Sequence, residues 1–147
     1  MSVWIVKRLV ENGAKIDAQQ KDGTHATFIA AQNGHLEILQ LLVQKDANVA
    51  DLKGKYGRTP LVAAAKEGHP DIVKYLNSQQ NVNINSQDDY GRTALIWAAI
   101  YNHPKVVQLL LEKGADTSVK DNYGYTALEL AKLFGYTDVI KLLEKSK

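Results

Sequence analysis

The chain has 147 residues, 45% hydrophobic and 23% charged, with 18 basic against 16 acidic side chains, a formal charge of +2 and no cysteine. That is the balance of one ordinary globular domain, and the charge is too small and too interspersed to argue for nucleic acid or an anionic membrane as partner. Disulfide frameworks, cysteine-ligated zinc and thiol catalysis are excluded, and a reducing, cytoplasmic setting fits.

In chain order, MSVWIVKRLV is neither a signal peptide nor a membrane span: its apolar stretch runs into Lys7 and Arg8, with no basic segment before it and no small-residue cleavage site after it. SVWIVKRLVENGAKID then reads as a single helix ending near Gly13. From there the elements recur. Gly23, Gly57, Gly91 and Gly124 open matching segments (GTHATFIAA, GRTPLVAAA, GRTALIWAA, GYTALELAK) at steps of 34, 34 and 33 residues. Leu42, Leu76, Leu110 and Leu143 keep the same steps. Two landmarks in phase define a repeat, which must be recognised before any motif is weighed.

Each unit has a physical reading. A turn glycine is followed by a threonine suited to cap a helix (Thr59, Thr93, Thr126), with Pro60, Ala94 or Ala127 at the first helical position. This short, Ala-rich helix stops at Gly34, Gly68 or Gly135, or at Asn102, all suited to a left-handed cap. A second helix follows, with Pro70 and Pro104 in its first turn. Apolar residues at helical spacing (Val106, Val107, Leu110, Leu111) mark its inner face. It is expected to end near Gly114, or near Asp46 and Gln80 in the units that lack that glycine, and an extended link leads to the next turn.

His35, His69 and His103 recur before the second helices. Zinc ligands must converge within about 3 to 4 Å of one another. Equivalent positions of stacked helices lie roughly 8 to 10 Å apart, so three would span about 20 Å. They read as structural, offering ring nitrogens to local backbone groups. LKGKYGRT (Leu52 to Thr59) is superficially like a phosphate loop but lacks G-x-x-x-x-G-K-[ST]. Five serines, none in G-x-S-x-G, leave no supported nucleophile, and adjacent Asp88 and Asp89 read as turn residues bonding local amides. No catalysis, cofactor, metal or small-molecule substrate is expected.

GRTPLVAAAKEGHPDIVKYL and GRTALIWAAIYNHPKVVQLLLEKGAD resemble the ankyrin repeat, with its D-x-x-G-x-T-P-L-H-x-A-A-x-x-G-H opening and L-L-x-x-G-A-D close. The resemblance runs over essentially the whole chain. It implies an all-α solenoid of stacked helix-loop-helix units joined by β-hairpin-like turns. The chain divides as one domain, 1–147: a partial unit at 1–19 holding the second helix only, and complete units at 20–53, 54–87, 88–120 and 121–147, the last a C-terminal cap. The missing first helix leaves Val3, Ile5 and Val6 poorly covered, which favours a fragment of a longer protein over a natural half-cap.

There are departures from the family pattern. The histidine that often follows T-P-L is Phe28, Val62, Ile96 and Glu129 here. The unit at 20–53 has His25 in the Thr place and Thr27 in the Leu place, and is expected to be the least stable complete unit.

The resemblance further implies protein or peptide binding by a monomer, across the turn tips and the exposed face of each first helix. Carried over, this gives four rows: Lys21, Asp22, Thr24, Gln32 and Asn33; Lys55, Tyr56, Arg58, Lys66 and Glu67; Asp89, Tyr90, Arg92, Ile100 and Tyr101; Asn122, Tyr123, Tyr125, Leu133 and Phe134. Tyrosine and arginine are frequent interface anchors. The candidate contact residues are therefore Tyr56, Arg58, Tyr90, Arg92, Ile100, Tyr101, Tyr123, Tyr125, Leu133 and Phe134. Ile100 and Tyr101 are apolar exceptions where sister units carry Gln32 with Asn33 and Lys66 with Glu67. Trp97 is expected in the core, facing its own second helix or the adjacent unit, and Trp4 on the surface. Two alternatives stand beside this reading: a targeting or regulatory segment of a larger enzyme or effector, and a structural, self-associating spacer.

Overall fold

The computed structural model describes residues 25–146. The leading partial unit, Trp4, Lys21, Asp22, Gly23 and Thr24 lie outside the described residues. Four helix pairs follow one another: α1 (Ala26–Asn33) with α2 (Leu36–Lys45), α3 (Pro60–Glu67) with α4 (Pro70–Asn77), α5 (Ala94–Ile100) with α6 (Pro104–Glu112), and α7 (Ala127–Phe134) with α8 (Thr137–Lys145). The first helices pack in sequence, α1 on α3 on α5 on α7, and α4, α6 and α8 form a second row. This is an all-α solenoid. None of the described helices is long and apolar enough to cross a membrane.

The capping chemistry explains where the helices begin. Thr59, Thr93 and Thr126 each accept a hydrogen bond from the amide three residues on, and Glu129 completes a capping box by accepting from the Thr126 amide. His25 gives α1 no side-chain cap. The departure at His25 therefore has a local cost, since a missing cap is worth about 1 kcal/mol.

Alanines line the row of first helices. Ala30, Ala31, Ala64, Ala65, Ala98, Ala99 and Ala131 are buried, and their small side chains let successive helices approach closely. Leu39, Leu42, Leu61, Ile72, Leu76, Leu95, Leu110 and Leu143 fill the space between rows, so the core is continuous from unit to unit. On the outer side of the last pair, Glu129 and Lys132 are exposed where Val62 and Ala65, and Ile96 and Ala99, are buried; Lys132 pairs with Glu144 at 3.5 Å.

Three expectations are corrected. The helix α4 ends at Asn77 rather than near Gln80, because Ser78 caps it and its hydroxyl donates to the Tyr75 carbonyl. The link after α2 is a 3-10 helix, Ala47–Asp51, with Val49 and Ala50 buried, rather than extended chain. Two of the histidines do not serve local groups: Nε2 of His69 lies 2.9 Å from the Gln32 carbonyl oxygen and Nε2 of His103 lies 3.0 Å from that of Lys66. Each ring reaches back to the end of the preceding unit's first helix, where carbonyls lack partners within the helix.

Candidate protein-binding surface

Each of the three described turns between units closes as a narrow hairpin. The amides of Gly54, Asp88 and Asp121 donate to the carbonyls of Arg58, Arg92 and Tyr125 at 2.7, 2.9 and 2.9 Å. Neighbouring tips are tied together, with the Asp89 amide donating to Tyr56 O and the Asn122 amide to Tyr90 O, both at 2.9 Å. The Asn122 carboxamide adds a bond to Asp89 O at 2.9 Å. A row of turns is thus held in register by backbone bonds.

Two buried carboxylates organise the side chains above this row. Asp88 Oδ1 accepts from the amides of Tyr90 and Arg92 at 2.9 and 3.0 Å, which confirms the turn role read from sequence. Its Oδ2 accepts from Arg58 Nε of the preceding unit at 3.3 Å and from Trp97 Nε1 at 2.7 Å. Asp121 repeats the pattern with the amides of Tyr123 and Tyr125 and with Arg92 Nε at 3.2 Å. Each arginine therefore bridges forward to the aspartate of the next unit. Buried and fully bonded, such carboxylates rigidify what surrounds them.

The unit between Gly54 and Gln87 shows what happens without the carboxylate. Gly54 stands in the Asp place, and a β-carbon there would lie 3.1 Å from the Phe28 ring. Phe28 occupies the family's histidine position, so one departure accounts for the other. With no side chain to take its amide, Tyr56 sits in the left-handed region at φ 61°, ψ 24°, a conformation rare for a bulky residue.

Aromatic rings and cations alternate along the tips. Tyr56 and Tyr90 lie 6.3 Å apart between ring centroids. The Arg58 guanidinium lies 5.0 Å from the Tyr56 centroid and 5.9 Å from that of Tyr90. Arg92 does the same between Tyr90 and Tyr123, at 5.7 and 5.9 Å. Distances under about 6 Å are those of cation–π attraction.

The sequence-derived residues now separate by position. Tyr56, Tyr90, Tyr101, Tyr123, Tyr125, Leu133 and Phe134 are exposed, Tyr123 and Leu133 most of all at 69% and 68%. Arg58 and Arg92 are largely committed inward, their side chains 13% and 19% exposed. Ile100 is half-buried and packs against the core, so it does not stand out from the surface as its sequence position suggested. Tyr101 stacks on Trp97 (5.9 Å, 15°) and Phe134 on Tyr136 (5.6 Å, 26°).

Trp97 is buried as expected, and of the two expected directions it takes the adjacent unit: it faces the turn and the preceding unit. Both Arg58 and Arg92 sit within 5 Å of its centroid, at 4.7 and 4.8 Å. Sequence reasoning did not find the carboxylate anchors. Their signal was available: Asp88 and Asp121 are 33 apart, Arg58 and Arg92 are 34 apart, and Gly54 breaks the aspartate series.

Among the described residues no three His, Asp or Glu side chains converge as a metal site. A cleft of about 400 Å³ beside α7 includes Glu129 and Lys132 in its lining. Both are engaged, in the capping box and with Glu144 respectively.

Stacked helix pairs with capped hairpin turns, and a built row of side chains along their tips, define a repeat scaffold. The chain belongs to the ankyrin-repeat family. A family model described as "Ankyrin repeats (3 copies)" matches residues 2–88 and again 77–147. The chain is also similar to the NF-kappa-B inhibitor cactus of Drosophila yakuba and of Drosophila melanogaster, at 40% identity over 48 residues in each case. That match takes in 33% of this chain and 10% of each relative, so the chain spans a small part of the proteins it resembles.

Proposed function

We propose that this chain is a non-catalytic module that binds a protein or peptide across its concave surface and turn tips, weighted toward the units at 88–120 and 121–147. Tyr56, Tyr90, Tyr101, Tyr123, Tyr125, Leu133 and Phe134 supply contact, Ile100 lies beneath them, and Arg58 and Arg92 order the tyrosines while offering their remaining N–H groups. The observation that carries this reading is the exposed tyrosine row held by two buried carboxylates. Tyrosine loses little entropy on binding when it is already ordered, which is what makes such a row effective. The relatives' printed role as NF-kappa-B inhibitors agrees with binding as the general mode of action.

The test is affinity capture from a lysate of the source organism with the wild-type chain and with Tyr90→Ala/Tyr101→Ala/Tyr123→Ala. The triple variant should keep its circular-dichroism spectrum and bind the captured protein at least tenfold more weakly. Undiminished affinity refutes this surface.

A further inference from the structure

The position held by Trp97 is occupied by Ile29, Ala63 and Leu130 in the other units. One indole among aliphatic side chains asks for a reason beyond filling the core, and its contacts supply one. Its single polar atom donates to Asp88 Oδ2 at 2.7 Å, a buried bond that fixes the ring in its plane. Tyr101 stacks on the ring from the end of the same helix, and Tyr90 meets it edge-on at 6.4 Å and 85° from the turn tip. Arg58 and Lys66 reach it from the preceding unit, Lys66 lying 5.6 Å from the Trp97 centroid and 5.0 Å from that of Tyr101.

We propose that Trp97 is the positioning residue of the binding surface, holding Tyr101 and Tyr90 in a single arrangement before any partner arrives. The contacts act together. The bond to Asp88 stops the indole from turning, and the stacked and edge contacts then select one rotamer for each tyrosine. Lys66 over both Trp97 and Tyr101 closes the arrangement from the neighbouring unit. The unit at 121–147 shows the contrast. With Leu130 at this position, Asp121 lacks the indole bond, and Tyr123 is the most exposed of the tyrosines. The functional meaning of this order rests on the proposed binding surface; the order itself does not.

The experiment compares wild type, Trp97→Phe and Trp97→Leu in the full chain. Phenylalanine keeps a ring to stack on but loses the N–H, and leucine is the residue already used at position 130. Side-chain rotamer populations are read by NMR from Tyr-labelled protein. Tyr101 and Tyr90 should be most ordered in wild type, less so in the Phe variant and averaged over rotamers in the Leu variant, with Tyr123, which reaches Trp97 only through Arg92, changed least. A role in stability alone would not loosen two tyrosines more than the third. Wild-type order of Tyr101 in the variants overturns the proposal, and if Trp97→Leu loses its helical spectrum, Trp97→Phe decides by the same measure.

A second arm uses a peptide selected from a random displayed library on the wild-type chain and counter-selected on the triple tyrosine variant. Its affinity should fall at least tenfold in Trp97→Leu and by less in Trp97→Phe, and equal binding to all three chains overturns the positioning role. Failure to select any tyrosine-dependent peptide counts against the binding surface, while the NMR arm still decides the role of Trp97.

Discussion

The imidazole of His69 passes so close to Gly34 that a β-carbon there would lie 2.9 Å from His69 Cε1, while Nε2 meets the Gln32 carbonyl oxygen at 2.9 Å. Facing an acceptor, that nitrogen carries the proton. The same pair recurs at Gly68 and His103, with a hypothetical contact of 2.6 Å. So the cap glycine answers two demands, its own φ of 78° and the ring of the next unit. At the following joint Tyr136 replaces the histidine, and Asn102, which has a β-carbon, takes the left-handed cap at φ 58°.

Gly68→Ala should therefore cost more than Gly135→Ala. Both pay the left-handed penalty of about 1 kcal/mol, but nothing lies within 4 Å of a β-carbon at Gly135. Overpacking against His103 brings the cost at Gly68 to about 3 kcal/mol in total. Urea denaturation of both variants measures this, and equal losses would show that the ring contact does not matter.

Removing either buried carboxylate should expose the linkage between units. Asp88→Ala leaves the Arg58 guanidinium and the Trp97 N–H without their acceptor and two turn amides without theirs, a loss of about 4 kcal/mol. Asp121→Ala should cost less, since no indole bond is broken there. The order of the two midpoints in denaturant is the check.

Within α1, Thr27 is fully buried and its hydroxyl has no hydrogen-bond partner among the described residues. Thr27→Val keeps the shape and removes that unpaired group, so it should stabilise the unit by about 1 kcal/mol. His25→Thr should add a similar amount by restoring the missing cap. Amide hydrogen exchange in α1 would slow in both variants; unchanged exchange would mean that this unit is not the weak one.

A pH dependence follows from Asp51. Burial raises its carboxyl above the ordinary value of 3.8, against the opposing pull of the Asn83 amide and of Lys53. A folded-state pKa above the unfolded one means that this group's contribution is full below the ordinary value and is lost as pH rises through the raised one. At neutral pH the charged carboxylate thus works against the fold. Asp51→Asn should raise the melting temperature at pH 7, by less than about 1 kcal/mol in stability because the group is half-exposed to screening solvent. The gain should shrink as the pH falls toward the ordinary carboxyl value, and a gain independent of pH would contradict the assignment.

Much of this protein was legible in its sequence because the interactions concerned are local. A threonine three residues before the amide it caps, a proline in a first helical turn and a glycine at a left-handed stop act over one turn of chain, and their recurrence revealed the repeat. The exposure of the turn tyrosines was legible through the ankyrin resemblance, which sets the turn tips outside the stack.

What tertiary structure alone decided lies between units, across about 30 residues of chain, where spacing in sequence carries no distance. It turned Arg58 and Arg92 from surface cations into bridges to Asp88 and Asp121, drew Ile100 down against the core, and set the Trp97 indole beneath the tyrosines. The histidines show the division most plainly. Their recurrence belongs to the sequence, but the bond from His69 to Gln32 exists because stacking brings the next ring to the carbonyls that end a helix.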